Sequence, residues 1–135
     1  MTKLHAYFNF TGKGMEAMQF YKSVFGGKLT TQTYAESGQS KNDKEKDFLM
    51  HGELTTKYFT VFASDGNDEH PVTFGNSVNL CLVGEDEEEL TKYFNKLAEN
   101  GTIDMPLAKQ FWGDTYGMIT DKYGIHWMVN ISGQK

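Results

Sequence analysis

Only one cysteine, two prolines and no long apolar run occur in this 135-residue chain. A single thiol, Cys81, excludes an intramolecular disulfide and agrees with a reducing compartment. The apolar runs fall far short of the roughly 20 residues that a membrane-spanning helix needs. The first residues likewise lack the apolar segment of a secretory signal. Excess positive charge is absent too: the formal net charge is −5. Phosphate-backbone binding rests on clustered Lys and Arg, so a nucleic-acid partner is not expected. The Gly-x-Gly at Gly12 lacks the third glycine and acidic partner of a dinucleotide fingerprint, and neither a phosphate-binding loop nor a Ser-His-Asp order is present. A cytoplasmic protein is the expectation.

Aromatic residues are plentiful, with ten Phe, seven Tyr and two Trp, enough buriable area for one domain with a substantial core. They fall into a repeat. Ala17, Phe20, Tyr21, Val24 and Phe25 recur in identical spacing as Leu90, Tyr93, Phe94, Leu97 and Ala98. Each set follows the i, i+3, i+4, i+7, i+8 spacing of one apolar helix face. Each predicted helix ends in residues that accept a left-handed backbone, Gly26-Gly27 and Asn100-Gly101. Alternating strands precede both, Leu4–Phe10 and Ser77–Val83. A repeat of about seventy residues describes a paired half-domain, too long for a solenoid unit.

Further strands are predicted near Lys28–Ala35, over Phe48–Leu54 and Tyr58–Ala63 as a hairpin, near Thr102–Lys109, and over Phe111–Thr120 and Ile125–Ile131. The stretch from Glu36 to Asp47 reads as an exposed loop able to act as a lid. Ser64 to Pro71 reads as the crossover between halves, with His70 exposed in it. The acidic run Glu85–Glu89 opens the second helix, predicted over Glu85–Asn100, where carboxylates complement the helix dipole and need no bound cation. The fold class is therefore α+β, one domain of two βαβββ modules, about 1–66 and about 72–135.

In order along the chain stand Tyr7-Phe8-Asn9-Phe10, Glu16-Ala17, Phe20-Tyr21, Val24-Phe25-Gly26-Gly27, Met50-His51-Gly52-Glu53-Leu54, Ser64-Asp65, Trp112-Gly113, Tyr116-Gly117, Asp121-Lys122-Tyr123-Gly124 and Trp127-Met128-Val129-Asn130. This pattern resembles the PhnB-like branch of the vicinal-oxygen-chelate superfamily, the glyoxalase, bleomycin-resistance and dioxygenase fold, over essentially the whole chain. The resemblance implies mixed sheets curled into an open cup with helices outside, and a homodimer. Such a fold hosts many functions.

Alternation assigns faces, because the apolar side of each strand goes under a helix. Leu4, Ala6, Phe8 and Phe10 are expected beneath the first helix, with His5, Tyr7 and Asn9 on the cup face. Val78, Leu80 and Leu82 are expected beneath the second, leaving Ser77, Asn79 and Cys81 opposite, although Cys81 also reads as a small buried hydrophobe. Leu49, His51 and Glu53 share a face opposite Phe48, Met50, Gly52 and Leu54. His126, Met128 and Asn130 lie opposite Trp127, Val129 and Ile131, and Trp112 and Tyr116 are candidate walls. The candidate ligand-binding set is His5, Tyr7, Asn9, His51, Glu53, Asn79, Trp112, Tyr116, His126 and Met128.

Metal-dependent members of the superfamily hold a divalent ion on the first and last strands of each module, with a carboxylate four residues after a glycine. Here that position, counted from Gly124, is Met128, and the second module offers Ser77 or Asn79 where a histidine is implied. Of the implied ligands only His5 is present, so no metal or other cofactor is expected. If a metal were held, His5, His51 and Glu53 are the candidates. The leading expectation is a cup that binds a small organic ligand. The alternative is a metal-dependent lyase, transferase or dioxygenase of the same superfamily. A third reading, methyl transfer to a quinone, follows from names attached to the family and finds no nucleotide-methyl-donor motif here.

Overall fold

Both halves of the chain follow a βαβββ order, with one short extra helix inserted in the first, in a computed structural model that describes residues 1–38, 40, 42–66 and 71–133. They form two units, Met1–Thr73 and Phe74–Lys135. The first runs β1 (Ala6–Phe10), α1 (Gly14–Phe25), β2 (Lys28–Thr33), α2 (Tyr34–Ser37), β3 (Leu49–Thr55) and β4 (Thr60–Asp65). The second runs β5 (Leu80–Gly84), α3 (Glu87–Ala98), β6 (Thr102–Lys109), β7 (Thr115–Thr120) and β8 (His126–Ile131). Sheet order is β1-β4-β3-β2 in one and β5-β8-β7-β6 in the other. In each, the first strand pairs parallel with the last and the remaining neighbours are antiparallel. The sequence repeat is thus a repeat of topology.

The helical stripes face their sheets, with Phe20, Phe25, Tyr93 and Ala98 only half-buried at their edges. Ala17, Met18, Tyr21 and Val24 of α1 are buried, as are Phe8, Phe10, Leu49, Leu54, Val61 and Ala63 of its sheet. In the second unit Leu90, Phe94 and Leu97 of α3 are buried, with Ile119, Trp127, Val129 and Ile131. Burying each large apolar side chain contributes about 1.5–3 kcal/mol before entropy is counted. The α1 stop is Gly26 at φ 74°, and α3 opens on Asp86, whose Oδ1 accepts the Glu89 N–H at 3.0 Å. The Glu85-Asp86 part of the acidic run therefore precedes α3 and supplies its cap.

Several expectations are corrected. Leu4 is 98% and Val78 76% exposed, because β1 and β5 begin later than the alternation suggested and leave both residues outside the sheets. Leu49 does not share a face with His51. The register steps from Gln32↔His51 to Thr33↔Leu49, which makes Met50 an extra residue in β3. This bulge turns Leu49 to the helix side, where a Cβ on Gly52 would stand 3.0 Å from its Cδ2. Residues 111–114 form a turn before β7, so the strand begins at Thr115.

The Glu36–Asp47 stretch is not uniformly exposed loop. Thr33 and Glu36 form a capping box on α2, with the Thr33 N–H donating to Glu36 Oε1 at 3.0 Å and the Glu36 N–H to Thr33 Oγ1 at 3.1 Å. The Thr33 N–H holds the Glu36 carboxyl below its ordinary value. Glu45 is buried, and the Asn42 amide donates to its Oε1 at 3.1 Å. His70, Asn67 and Asp68 of the crossover lie outside the described residues.

Candidate functional site

On the first sheet, the face away from α1 gathers a cluster of rings. Phe62 of β4 is at its centre. The His51 ring stacks on it at 5.6 Å and 30°, and the His5 ring meets it edge-on at 5.3 Å and 78°. Tyr7 lies 6.1 Å from Phe62 and 6.2 Å from His51. The register explains the grouping: Tyr7 on β1 pairs with Phe62 on β4, which pairs with Glu53 on β3. Directly opposed residues point to the same side of a sheet, so Glu53 shares this face. Asn9 is exposed one row along, in register with Ser64. Five of the ten candidate residues, His5, Tyr7, Asn9, His51 and Glu53, thus meet on one surface.

Phe62 was absent from the sequence-derived set, yet the signal existed. Val61, Ala63 and Asp65 are buried, so strict alternation turns Thr60, Phe62 and Ser64 to the other face. What alternation alone could not show is that Phe62 is sandwiched between two histidines from different segments. Rings in offset or edge geometry contribute about 0.5–1.5 kcal/mol beyond area burial, which holds this cluster as a preformed platform. With imidazoles that donate or accept and a neighbouring carboxylate, the face can stack a planar ring and hydrogen-bond its polar substituents.

The remaining candidates lie in the second unit. Trp112 sits in the turn before β7, edge-on to Phe111 at 4.9 Å and near Tyr116 at 6.1 Å. Tyr116 pairs with Asn130 across β7 and β8, and Asn130 Nδ2 donates to Asp114 Oδ2 at 3.0 Å. Asn79 is half-buried just before β5, and Met128 lies on β8 in register with Cys81 and Met118. His126 is held by the protein itself: its Nδ1 is 2.9 Å from Thr120 Oγ1, and its Nε2 is 3.1 Å from the Gly75 carbonyl oxygen. It acts as a bracket that ties the segment before β5 to the sheet.

Two buried carboxylates escaped the sequence reading as well. Asp65 closes β4 and accepts the N–H groups of Gly14 and Leu49. Asp121 accepts those of Tyr123 and Ile125 and the Trp127 indole N–H. Both are committed to holding the fold.

Among the described residues, no group of three or more His, Cys, Asp or Glu side chains is placed to hold a metal ion. His5, His51 and Glu53 share the Phe62 face without forming such a group. Cys81 is exposed, which corrects its reading as a small buried hydrophobe. Desolvation against the sheet nonetheless pushes its thiol above the ordinary value. Since the thiolate is the nucleophile, iodoacetamide at about pH 8 should alkylate Cys81 more slowly than a free cysteine peptide, a difference read by intact mass. An equal or faster rate would contradict the desolvated thiol.

Comparison with known proteins gives these observations a family. The model of the family described as 3-demethylubiquinone-9 3-methyltransferase matches residues 2–130. The chain is similar to the structure of protein PA1353 from Pseudomonas aeruginosa, at 32% identity and a TM-score of 0.84, over 99% of this chain and 100% of that one. It is similar to the structure of a PhnB protein from Bacillus cereus, at 30% identity and a TM-score of 0.80, over 97% of this chain and 100% of that one. FosX, a fosfomycin resistance protein from Listeria monocytogenes solved with Mn(II) and a dihydroxypropylphosphonic acid, shares the fold alone, at 9% identity and a TM-score of 0.66 over 99% and 94% of the two chains. No helix among the described residues is long and apolar enough to cross a membrane. With the family model spanning nearly its whole length and solved relatives at 30–32% identity matching it from end to end, the chain belongs to the 3-demethylubiquinone-9 3-methyltransferase family, which includes PhnB.

Proposed function

We propose that this chain binds a small, planar organic molecule on the Phe62 face of its first sheet, without a borderline divalent metal. The observation that carries this reading is the ring cluster of His5, Tyr7, His51 and Phe62 beside the Glu53 carboxylate. Phe62 supplies the apolar floor. The imidazoles and Glu53 orient polar substituents, so that rings bearing hydroxyl, carbonyl or amino groups are favoured over plain hydrocarbons. Asn9 offers a further polar contact at the rim. The quinone named in the family description falls within this class.

The donor set argues in the same direction. At the position four residues after Gly124, where metal-dependent relatives are expected to place a carboxylate, Met128 offers a thioether, a poor ligand for Mn, Ni, Zn or Fe(II). A cytoplasmic homodimer is the expected working form, and the exposed side chains of Val83 and Phe111 on the second unit offer apolar area to a second copy.

Native mass spectrometry with elemental analysis of tag-free protein tests the reading, with a short-chain ubiquinone as added probe. The expected result is an organic adduct of whole-number stoichiometry, co-purified or formed with the probe, that is lost in Phe62→Ala. One equivalent of a borderline divalent metal per chain, or adduct formation unchanged in Phe62→Ala, would overturn it.

A further inference from the structure

Four sulfur-bearing side chains stand in one row across the second sheet. Cys81 on β5 pairs with Met128 on β8, Met128 with Met118 on β7, and Met118 with Met105 on β6. Alternation places the first three on the face away from α3. Trp127 and Val129 beside Met128, and Gly117 and Ile119 beside Met118, are buried, while Cys81 is exposed between the half-buried Leu80 and Leu82. We infer that Cys81, Met128 and Met118 form a site for one soft, thiophilic cation of the Cu(I) class, bound through one thiolate and two thioethers.

The chemistry follows from the ligand type. Thiolate and thioether donors select polarisable cations such as Cu(I) and discriminate against Mg, Mn and Ca, which prefer oxygen. Three sulfurs suit the low coordination number of a closed-shell monovalent ion, and the long thioether arms tolerate imperfect spacing. Spacing also decides which sulfurs take part. Neighbouring strands lie about 4.8 Å apart, so Cys81 to Met118 spans two gaps, roughly 10 Å between backbones, which the side chains can close onto a central ion over Met128. Met105 lies a third gap away, at roughly 14 Å from Cys81, and is left outside the coordination sphere. Binding breaks the Cys81 S–H bond, forms a metal–sulfur bond and releases the proton to solvent, so affinity rises with pH. The inference is independent of the Phe62 face, since it uses a different sheet and a different class of ligand.

Anaerobic titration of the full chain with Cu(I), held by a colorimetric chelator as competitor, tests the site. The expected result is one Cu(I) per chain with a near-ultraviolet copper–thiolate band and release of one proton. Cys81→Ser should abolish the band. Met118→Leu and Met128→Leu should each lower affinity by about tenfold or more, whereas Met105→Leu should leave it unchanged. Circular dichroism of each variant separates loss of ligand from loss of fold, and a Met→Leu variant that fails to fold is replaced by Met→Ile at the same position. Should Cys81→Ser alone matter, with both methionine variants binding as the wild type does, Cys81 is an isolated thiol and the site is disproved. Absence of stoichiometric binding disproves it equally. Organic adducts that persist or vanish at the Phe62 face do not bear on either outcome.

Discussion

Replacing Asp65 with Asn should destabilise the fold by about 2–4 kcal/mol, a large part of the roughly 5–15 kcal/mol that holds a domain of this size. The side chain is 2% exposed, and each of its oxygens accepts one backbone N–H, Gly14 at 2.9 Å and Leu49 at 2.7 Å. An amide can offer an oxygen to only one of these donors and turns an NH₂ toward the other, leaving a buried N–H without an acceptor. The position matters doubly because α1 has no side-chain cap of its own: Lys13 precedes the helix without supplying one. A carboxylate from the far end of the unit therefore does the work of an N-cap and complements the helix dipole. Gly14 is part of the same device, since a Cβ there would stand 3.0 Å from both Asp65 oxygens. Urea unfolding should show a lower midpoint at unchanged m-value, and a loss below about 0.5 kcal/mol would refute the role.

Asp121→Asn should cost about as much, roughly 2–4 kcal/mol, and for a related reason. Asp121 is 3% exposed. Its Oδ1 accepts the N–H groups of Tyr123 at 2.8 Å and Ile125 at 3.1 Å, and its Oδ2 accepts the Trp127 indole N–H at 2.8 Å. One residue thereby closes the β7–β8 turn and anchors the largest ring in the core of the second unit. In the Asn variant the amide NH₂ faces the indole N–H. Removing that donor with Trp127→Phe should recover part of the loss, so a double-mutant cycle is expected to return a coupling of about 1–3 kcal/mol. Strict additivity of the two substitutions would show that the carboxylate–indole bond is not the seat of the effect. The turn itself relies on Gly124 at φ 91°, where a Cβ would also run into the Phe74 ring at 2.6 Å.

These two carboxylates mark where reading the sequence stops. Asp121 lay in a recognisable turn, Asp121-Lys122-Tyr123-Gly124, and Asp65 lay at the end of an alternating strand, but nothing local distinguishes a carboxylate that caps a helix fifty-one positions away from one that faces water. The Phe62 cluster is an intermediate case. Alternation gave the face of Tyr7, His51 and Glu53 strand by strand and left Phe62 unassigned, yet their grouping depends on Tyr7, Phe62 and Glu53 falling in one row. His126 shows the reverse: it was legible as a residue opposite the core, and the fold then occupied both its ring nitrogens.

By itself the sequence determined the two helices, their stops, the strands, the duplicated βαβββ order and the family, because each rests on periodicity or motif within a short window. Tertiary structure alone decided strand register, and with it the Met50 bulge that turns Leu49 inward, the exclusion of Leu4 and Val78 from the sheets, and the alignment of Cys81, Met128, Met118 and Met105. The physical reason is that side-chain alternation fixes which face a residue takes within its own strand, whereas its neighbours across the sheet are chosen by backbone hydrogen bonds between segments far apart in the chain.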